Sequence, residues 1–329
     1  MRSVNTDAVR EIEPRVMREG GEARGDTGAR GGRFRSERRK EAIFGYSFVA
    51  PNFIGFALFV GFPVVASAIL SLFNWPLTGQ RRGFVGLHNY VAAFNSPVFL
   101  AALHNTAYYA VVYVPFSMAI ALFCASMLSS RGRLIIGKRV YRIIFLLPAI
   151  TPVVTNAVIF SLIFQQNGLA NRLLEVVGIR GPNWFASETF AMPAILVMSI
   201  WQGFGYNMVL FAAALEGIPQ YLYDAAAVDG ANAVRQFRHV TLPLLSPATF
   251  FVLVTTTISA FQVFGQIYVL TLGGPGNSTT TIVYSIYEEA FQLFHLGYAS
   301  AFAWVLFVII LVLTVVNFFG QKRWVHYEH

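Results

Sequence analysis

Few side chains in this 329-residue chain are equipped for chemistry, and those that are fall in two unlike places. The first is inside apolar runs. Ser199, Gln202, Gly203 and Tyr206 recur at intervals of three or four residues between 190 and 215, with Asn207 beside them. Thr256, Ser259, Gln262 and Gln266 do the same between 245 and 271. Such spacing sets each group on one stripe of a helix. Hydroxyl, amide and phenol groups exchange hydrogen bonds with a neutral, hydroxyl-rich solute at little electrostatic cost. The two stripes are therefore expected to line one pathway. Their other use is hydrogen bonding from helix to helix.

The second place is the stretch "YLYDAAAVDGANAVRQFRHVTLPLLSP", Tyr221 to Pro247, which lies between two apolar runs yet carries Asp224, Asp229, Arg235, Arg238 and His239. The alanines of "YLYDAAAV" favour a helix over 221–228. Gly230 is suited to end it with a positive backbone angle, and "ANAVRQF" opens a second helix that Pro243 is expected to stop. Asp224 either holds a polar contact with a partner or caps its own helix.

Other chemistries find little support. Of Asp, Glu, Lys, Arg and His only His104 lies within an apolar run, near its end, and it reads as structural or interfacial, which leaves no evident proton relay. Cys124 is the only cysteine, which excludes an intrachain disulfide and a thiolate metal cluster; no metal site is expected. "GRLIIGKR" sets Gly132, Gly137 and Lys138 in the first part of a phosphate-loop pattern, but Arg139 stands where Ser or Thr should hold magnesium, in a loop too short for a nucleotide fold. Any ATP must be bound by a partner.

The elements that position these residues follow from composition. The chain is 56% hydrophobic and 12% charged, and soluble domains carry about a quarter charged residues, so this is a membrane composition. Six stretches lack Asp, Glu, Lys and Arg: about 43–73, 98–128, 143–165, 190–215, 245–271 and 298–320. Each is long enough to cross a hydrocarbon core of about 30 Å as a helix, some only with tilt. Prolines inside them, among them Pro115, Pro148 and Pro152, are tolerated in bundled membrane helices. The expected fold is an all-α integral membrane protein of six transmembrane helices, with the polar hairpin between the fourth and fifth.

Charge then orients the spans. The segments before 43, at 129–142, at 216–244 and after the sixth span hold 20 of the 24 basic residues and lie on one side, which the positive-inside rule makes the cytoplasm. Both termini are cytoplasmic on this reading, with Arg81 and Arg82 a mild exception. Residues 1–42, rich in Arg, Gly and Glu, read as a disordered tail rather than a cleaved signal peptide. Its basic end "RFRSERRK" suits the lipid surface, not nucleic acid. A transmembrane domain at 43–323 (loop 216–244) and a short tail at 324–329 follow.

The spacing within the hairpin is more specific than its helices. Asp224, Ala225 and Ala226, three residues, Gly230, nine residues, then Val240, Thr241, Leu242 and Pro243 resembles the Glu-Ala-Ala…Gly…Ile-x-Leu-Pro signature of permease subunits of binding-protein-dependent ABC importers. Asp replaces Glu at 224 and Val replaces Ile at 240. "NTAYYAVVYVP" at 105–115, "RIIFLLPAITPVV" at 142–154 and "YVLTLGGPGNSTTTIVYSIYEEAF" at 268–291 are similar to the carbohydrate branch of these permeases, the maltose and glycerol-phosphate type. The resemblance covers about 43–323.

It implies a transport subunit without catalysis of its own, in a bacterial or archaeal cell membrane. Residues 221–243 would be the coupling helix, docked into one of two cytoplasmic ATPase subunits that carry ATP and magnesium. A second permease subunit, an extracellular solute-binding protein and a carbohydrate substrate are the other partners the resemblance implies. In the maltose-type permeases the sugar contacts come from the fourth and fifth spans. Tyr206 matches their pocket tyrosine, whereas Ala260 and Val263 stand where they carry asparagines, so the sugar need not be maltose. The competing reading is a secondary transporter or channel without an ATPase, which predicts internal repeats or coupling-ion carboxylates that the sequence lacks.

Overall fold

The computed structural model describes residues 44–76, 83–128, 137–322 and 325. The expected tail at 1–42, Arg81 and Arg82, the loop residues Arg131, Gly132 and Arg133, and the segment 324–329 apart from Val325 lie outside the described residues. By its internal contacts the chain divides after Pro63. In the first unit residues 44–63 are helical, with Phe44, Phe48, Phe53 and Phe59 exposed, as suits a helix surrounded by lipid.

Among the described residues five helices are long and apolar enough to cross a membrane: α1 (Phe44–Leu70), α3 (Pro97–Leu128), α7 (Ala191–Gly217), the run Ser246–Leu270, and α14 (Leu296–Gln321). A short antiparallel pair, β1 (Phe73–Asn74) with β2 (Gly83–Phe84), and α2 (His88–Asn95) precede α3, and the short α6 (Leu169–Val176) precedes α7. Helices α3 and α7 make the most extensive helix pair. Both helices bury small residues, Ala102, Ala110, Ala121 and Ala125 in one and Ala191, Ala194 and Ala212 in the other, and Gly203 of the second comes up against Tyr113 of the first. Small side chains let two backbones approach, which is how helices associate where lipid removes the hydrophobic drive.

The third expected span, 143–165, is not one straight helix. It is the pair α4 (Lys138–Ile150) and α5 (Val153–Ile163), bent by 97°. The physical reason is Pro152, which has no N–H to return to the carbonyl of Pro148. Asn156, 1% exposed, takes over that carbonyl with Nδ2 at 3.0 Å and reaches the Thr151 carbonyl at 3.4 Å. A bend in a membrane helix persists where the freed backbone groups are satisfied in this way.

The fifth span is also interrupted. Helix α11 (Ser246–Phe261) ends at Gln262, and α12 (Gly265–Leu270) begins after Phe264. Beyond it come α13 (Ile282–Tyr287) and a π-helical turn, Glu288–Gln292. The Val263 carbonyl at the break accepts from Thr281 Oγ1 at 3.1 Å, so the segment leading into α13 holds the interruption in place.

Candidate functional site

Helix positions in α3, α4, α5, α7, α11 and α12 converge on a cavity of 420 Å³. Ser199, Gln202, Gly203 and Tyr206 enter it from α7, and Thr256, Ser259, Gln262 and Gln266 from the fifth span, so all eight residues of the two sequence stripes meet at one space. Among the described residues no Asp, Glu, Lys, Arg or His lines it.

The stripes also serve helix packing. Thr256 Oγ1 donates to Asn207 Oδ1 at 3.3 Å, and Asn207 Nδ2 donates to Ser117 Oγ at 3.2 Å, a buried chain that joins the second, fourth and fifth spans. Ser199 Oγ returns to the Ile195 carbonyl of its own helix at 2.8 Å. Tyr206, by contrast, is 57% exposed. Gln202 has Nε2 3.4 Å from the Thr151 carbonyl at the bend, whereas its Oε1 is buried with no partner. A buried acceptor without a donor is costly, and a solute hydroxyl in the cavity would satisfy it.

Two tyrosines of the wall lie outside both stripes. Tyr109 and Tyr113, from α3, stack at 5.3 Å with planes 16° apart and line the same cavity. Their spacing of four residues inside an apolar span was the available signal. Gly203 makes room for them, because a Cβ there would fall on the Tyr113 hydroxyl.

The hairpin begins where α7 ends. Helix α8 (Gln220–Val228) starts at Pro219, so Asp224 is not its cap; it accepts instead from Gln220 Nε2 at 3.1 Å. Gly230 has φ 73°, the left-handed value expected for it. The Ala231 N–H reaches the Ala226 carbonyl at 2.9 Å and the Gly230 N–H the Ala227 carbonyl at 3.0 Å, the two bonds of a Schellman stop. Asn232 then caps α9 (Ala233–Gln236), its Oδ1 accepting from Arg235 N at 2.9 Å.

Pro243 does not stop the second helix. A π-helical turn, Phe237–Thr241, follows α9, and Pro243 lies in the first turn of α10 (Leu242–Leu244). The ring's fixed φ is itself helical, so the helix runs on through Pro243 at the loss of one backbone bond. The π turn passes the chain through Val240 to Leu242 without a break.

One side of the hairpin is anchored. Leu222 and Tyr223 pack on the cluster that contains Met208, Phe211, Leu215 and Leu245, and Tyr223 Oη pairs with Thr241 Oγ1 at 2.9 Å. The other side is bare: Asp224, Ala225, Asp229 and Gly230 are exposed, as are Tyr221, Val228 and Val234, the last two at 88% and 74%. Where α7 passes into the hairpin, Glu216 forms an ion pair with Arg142 of α4, so loop and bent span are tied together.

Residues 115–324 match the family described as binding-protein-dependent transport system inner membrane component. The probable ABC transporter permease protein YesP of Bacillus subtilis is 38% identical over 295 residues, 88% of this chain and 94% of that one. The arabinooligosaccharides transport system permease protein AraP of Bacillus subtilis is 34% identical, over 83% of this chain and 86% of its own. The lactose transport system permease protein LacF of Rhizobium radiobacter is 32% identical, over 88% and 97%. In fold, a chain of a bacterial ABC transporter that imports the acidic polysaccharide alginate superposes with a TM-score of 0.74 at 22% identity, covering 88% of this chain and 99% of that one.

Proposed function

Because this chain belongs to the family of binding-protein-dependent transport system inner membrane components, a family of ABC importer permeases with sugar transport systems among its members, we propose that it forms half of the translocation pathway for a neutral sugar. The observation that carries the reading is the uncharged polar cavity. Its amides, hydroxyls and phenols match a solute rich in hydroxyls, and among the described residues an anionic sugar would find no cation there.

The bare side of the hairpin, residues 221–243, docks into a cytoplasmic ATPase, and Leu222, Tyr223 and the α7 junction pass its movement to the spans. Asp224 and Asp229 offer polar contacts; Ala225 and Ala226 allow close approach; Gly230 fixes the turn, and Val240, Leu242 and Pro243 form the exit. Two such ATPases carry the ATP and magnesium. A second permease completes the pathway, an extracellular solute-binding protein delivers the sugar, and both termini face the cytoplasm.

The test is to co-express the chain with the genes beside its own and purify what it binds. A complex with a second permease and an ATPase pair is expected, with uptake of at least one of lactose, raffinose, arabinotriose and maltotetraose that stops without ATP hydrolysis. Uptake that persists without hydrolysis would make this a secondary transporter or channel. Reporter fusions near Gly137 and near Asn277 should report opposite sides of the membrane; the same side for both sinks the orientation.

A further inference from the structure

The cavity has an aromatic exit. Phe264, at the break of the fifth span, is part of the cavity wall. Its ring stacks on Tyr268 at 5.4 Å with planes 23° apart and meets Tyr287 at 5.3 Å. Tyr268 and Tyr287 lie 5.2 Å apart, and Tyr287 meets Phe291 at 5.7 Å. The four rings thus run without a gap from the cavity to Phe291, which is 67% exposed, while Tyr268 is 39% exposed. Glu288 and Glu289 flank the far end.

We infer that the strip Phe264, Tyr268, Tyr287 and Phe291 is an outer sugar-stacking site that guides a neutral saccharide into the cavity. This rests on the sugar-importer reading. Two properties of the strip favour a saccharide. Its continuity with the cavity wall means that whatever lies along it leads to the polar groups of Gln262 and Gln266. Its rings also offer apolar faces with hydroxyls on Tyr268 and Tyr287, which suits a ring with one C–H face and hydroxyls at its edge.

The strip is built to keep its form. Tyr284, buried, supports it from behind with its ring 6.5 Å from both Phe264 and Tyr287. Asn105 Nδ2 donates to the carbonyls of Asn277 and Thr280 at 2.8 and 2.9 Å, and Thr106 Oγ1 accepts from Ile282 N at 3.0 Å, which fixes the start of α13 on α3. A preformed surface loses little entropy when a sugar settles on it.

The experiment uses the complete complex, in nanodiscs for binding and in proteoliposomes for uptake, with wild type compared with Tyr268→Ala and Phe291→Ala. Saturation-transfer NMR with raffinose, arabinotriose and maltotetraose as probes reads weak contact, and initial uptake of each imported sugar gives KM and maximal rate. Contact signals from at least one probe are expected in wild type and should fall by more than half in each variant. KM should rise roughly twofold to tenfold, the range for one lost aromatic contact, with maximal rate little changed. Wild-type signals in both variants, or no signal from any probe, overturn the inference. So does loss of the second permease on purification of Phe291→Ala, which would make the strip a subunit contact. If the wild-type complex imports a sugar and only these outcomes fail, the importer reading stands and the strip alone falls.

Discussion

Replacing Gly230 by valine isolates the turn of the hairpin. A Cβ at this position would meet nothing within 4 Å, so no steric clash enters and the cost is one of backbone alone. Holding an L-residue at φ 73° costs about 1–2 kcal/mol, with the β-branched valine at the upper end. Relaxing to a negative angle instead breaks the bonds to the Ala226 and Ala227 carbonyls and re-aims α9. Helix α8 has no fully buried residue, so either outcome leaves the core intact. If the ATPase binds the intact turn, its affinity for the permease pair should fall by about fivefold to thirtyfold, the factor that 1–2 kcal/mol represents. Alanine should fall between wild type and valine, and asparagine, which tolerates the left-handed region, should stay nearest to glycine. Affinity of the purified pair for the ATPase and the thermal midpoint of the pair are the two readouts. Wild-type affinity for valine, or a midpoint that falls in step with affinity, would refute the reasoning.

Substituting Asn156 by alanine leaves the buried Pro148 carbonyl without its donor and should destabilise the chain by about 1–3 kcal/mol in denaturant unfolding, with Asn156→Asp no rescue because it cannot donate when ionised. Gln202→Ala, Tyr206→Phe and Gln262→Leu should raise KM or change sugar preference while complex assembly and basal ATP hydrolysis persist; unchanged uptake in all three would return these residues to helix packing. Gly203→Ala should displace Tyr113 and reduce uptake more than Ser199→Ala, whose hydroxyl donates to the Ile195 carbonyl of its own helix. Arg142→Gln should cost about 1 kcal/mol or less in unfolding, because its pair with Glu216 is partly exposed, so a large loss of coupled transport in that variant would mark the pair as a link between loop and bent span.

Much of the site was legible because its signals are local. The intervals from Ser199 to Tyr206 and from Thr256 to Gln266 are helical periods, and the angle at Gly230 follows from glycine itself. Pro243 was misread because its own effect depends on the hydrogen-bond register that reaches it, and the π turn at Phe237–Thr241 had set that register. Asp224 was open to two readings, and Pro219 took the cap because the chain enters α8 there.

The sequence by itself determined that this is an all-helical membrane protein with a polar hairpin between two spans, since length, apolar content and residue spacing act along one stretch of chain. Only the tertiary structure decided that the third span bends by 97°, because the bend needs Asn156 to accept the role of the missing Pro152 donor. Only it decided that both polar stripes face one cavity with Tyr109 and Tyr113, and that four rings lead away from it. A helical period fixes which residues share a face; which way that face turns depends on how α3, α7 and α11 pack together, and that is settled by contacts between residues far apart in the chain.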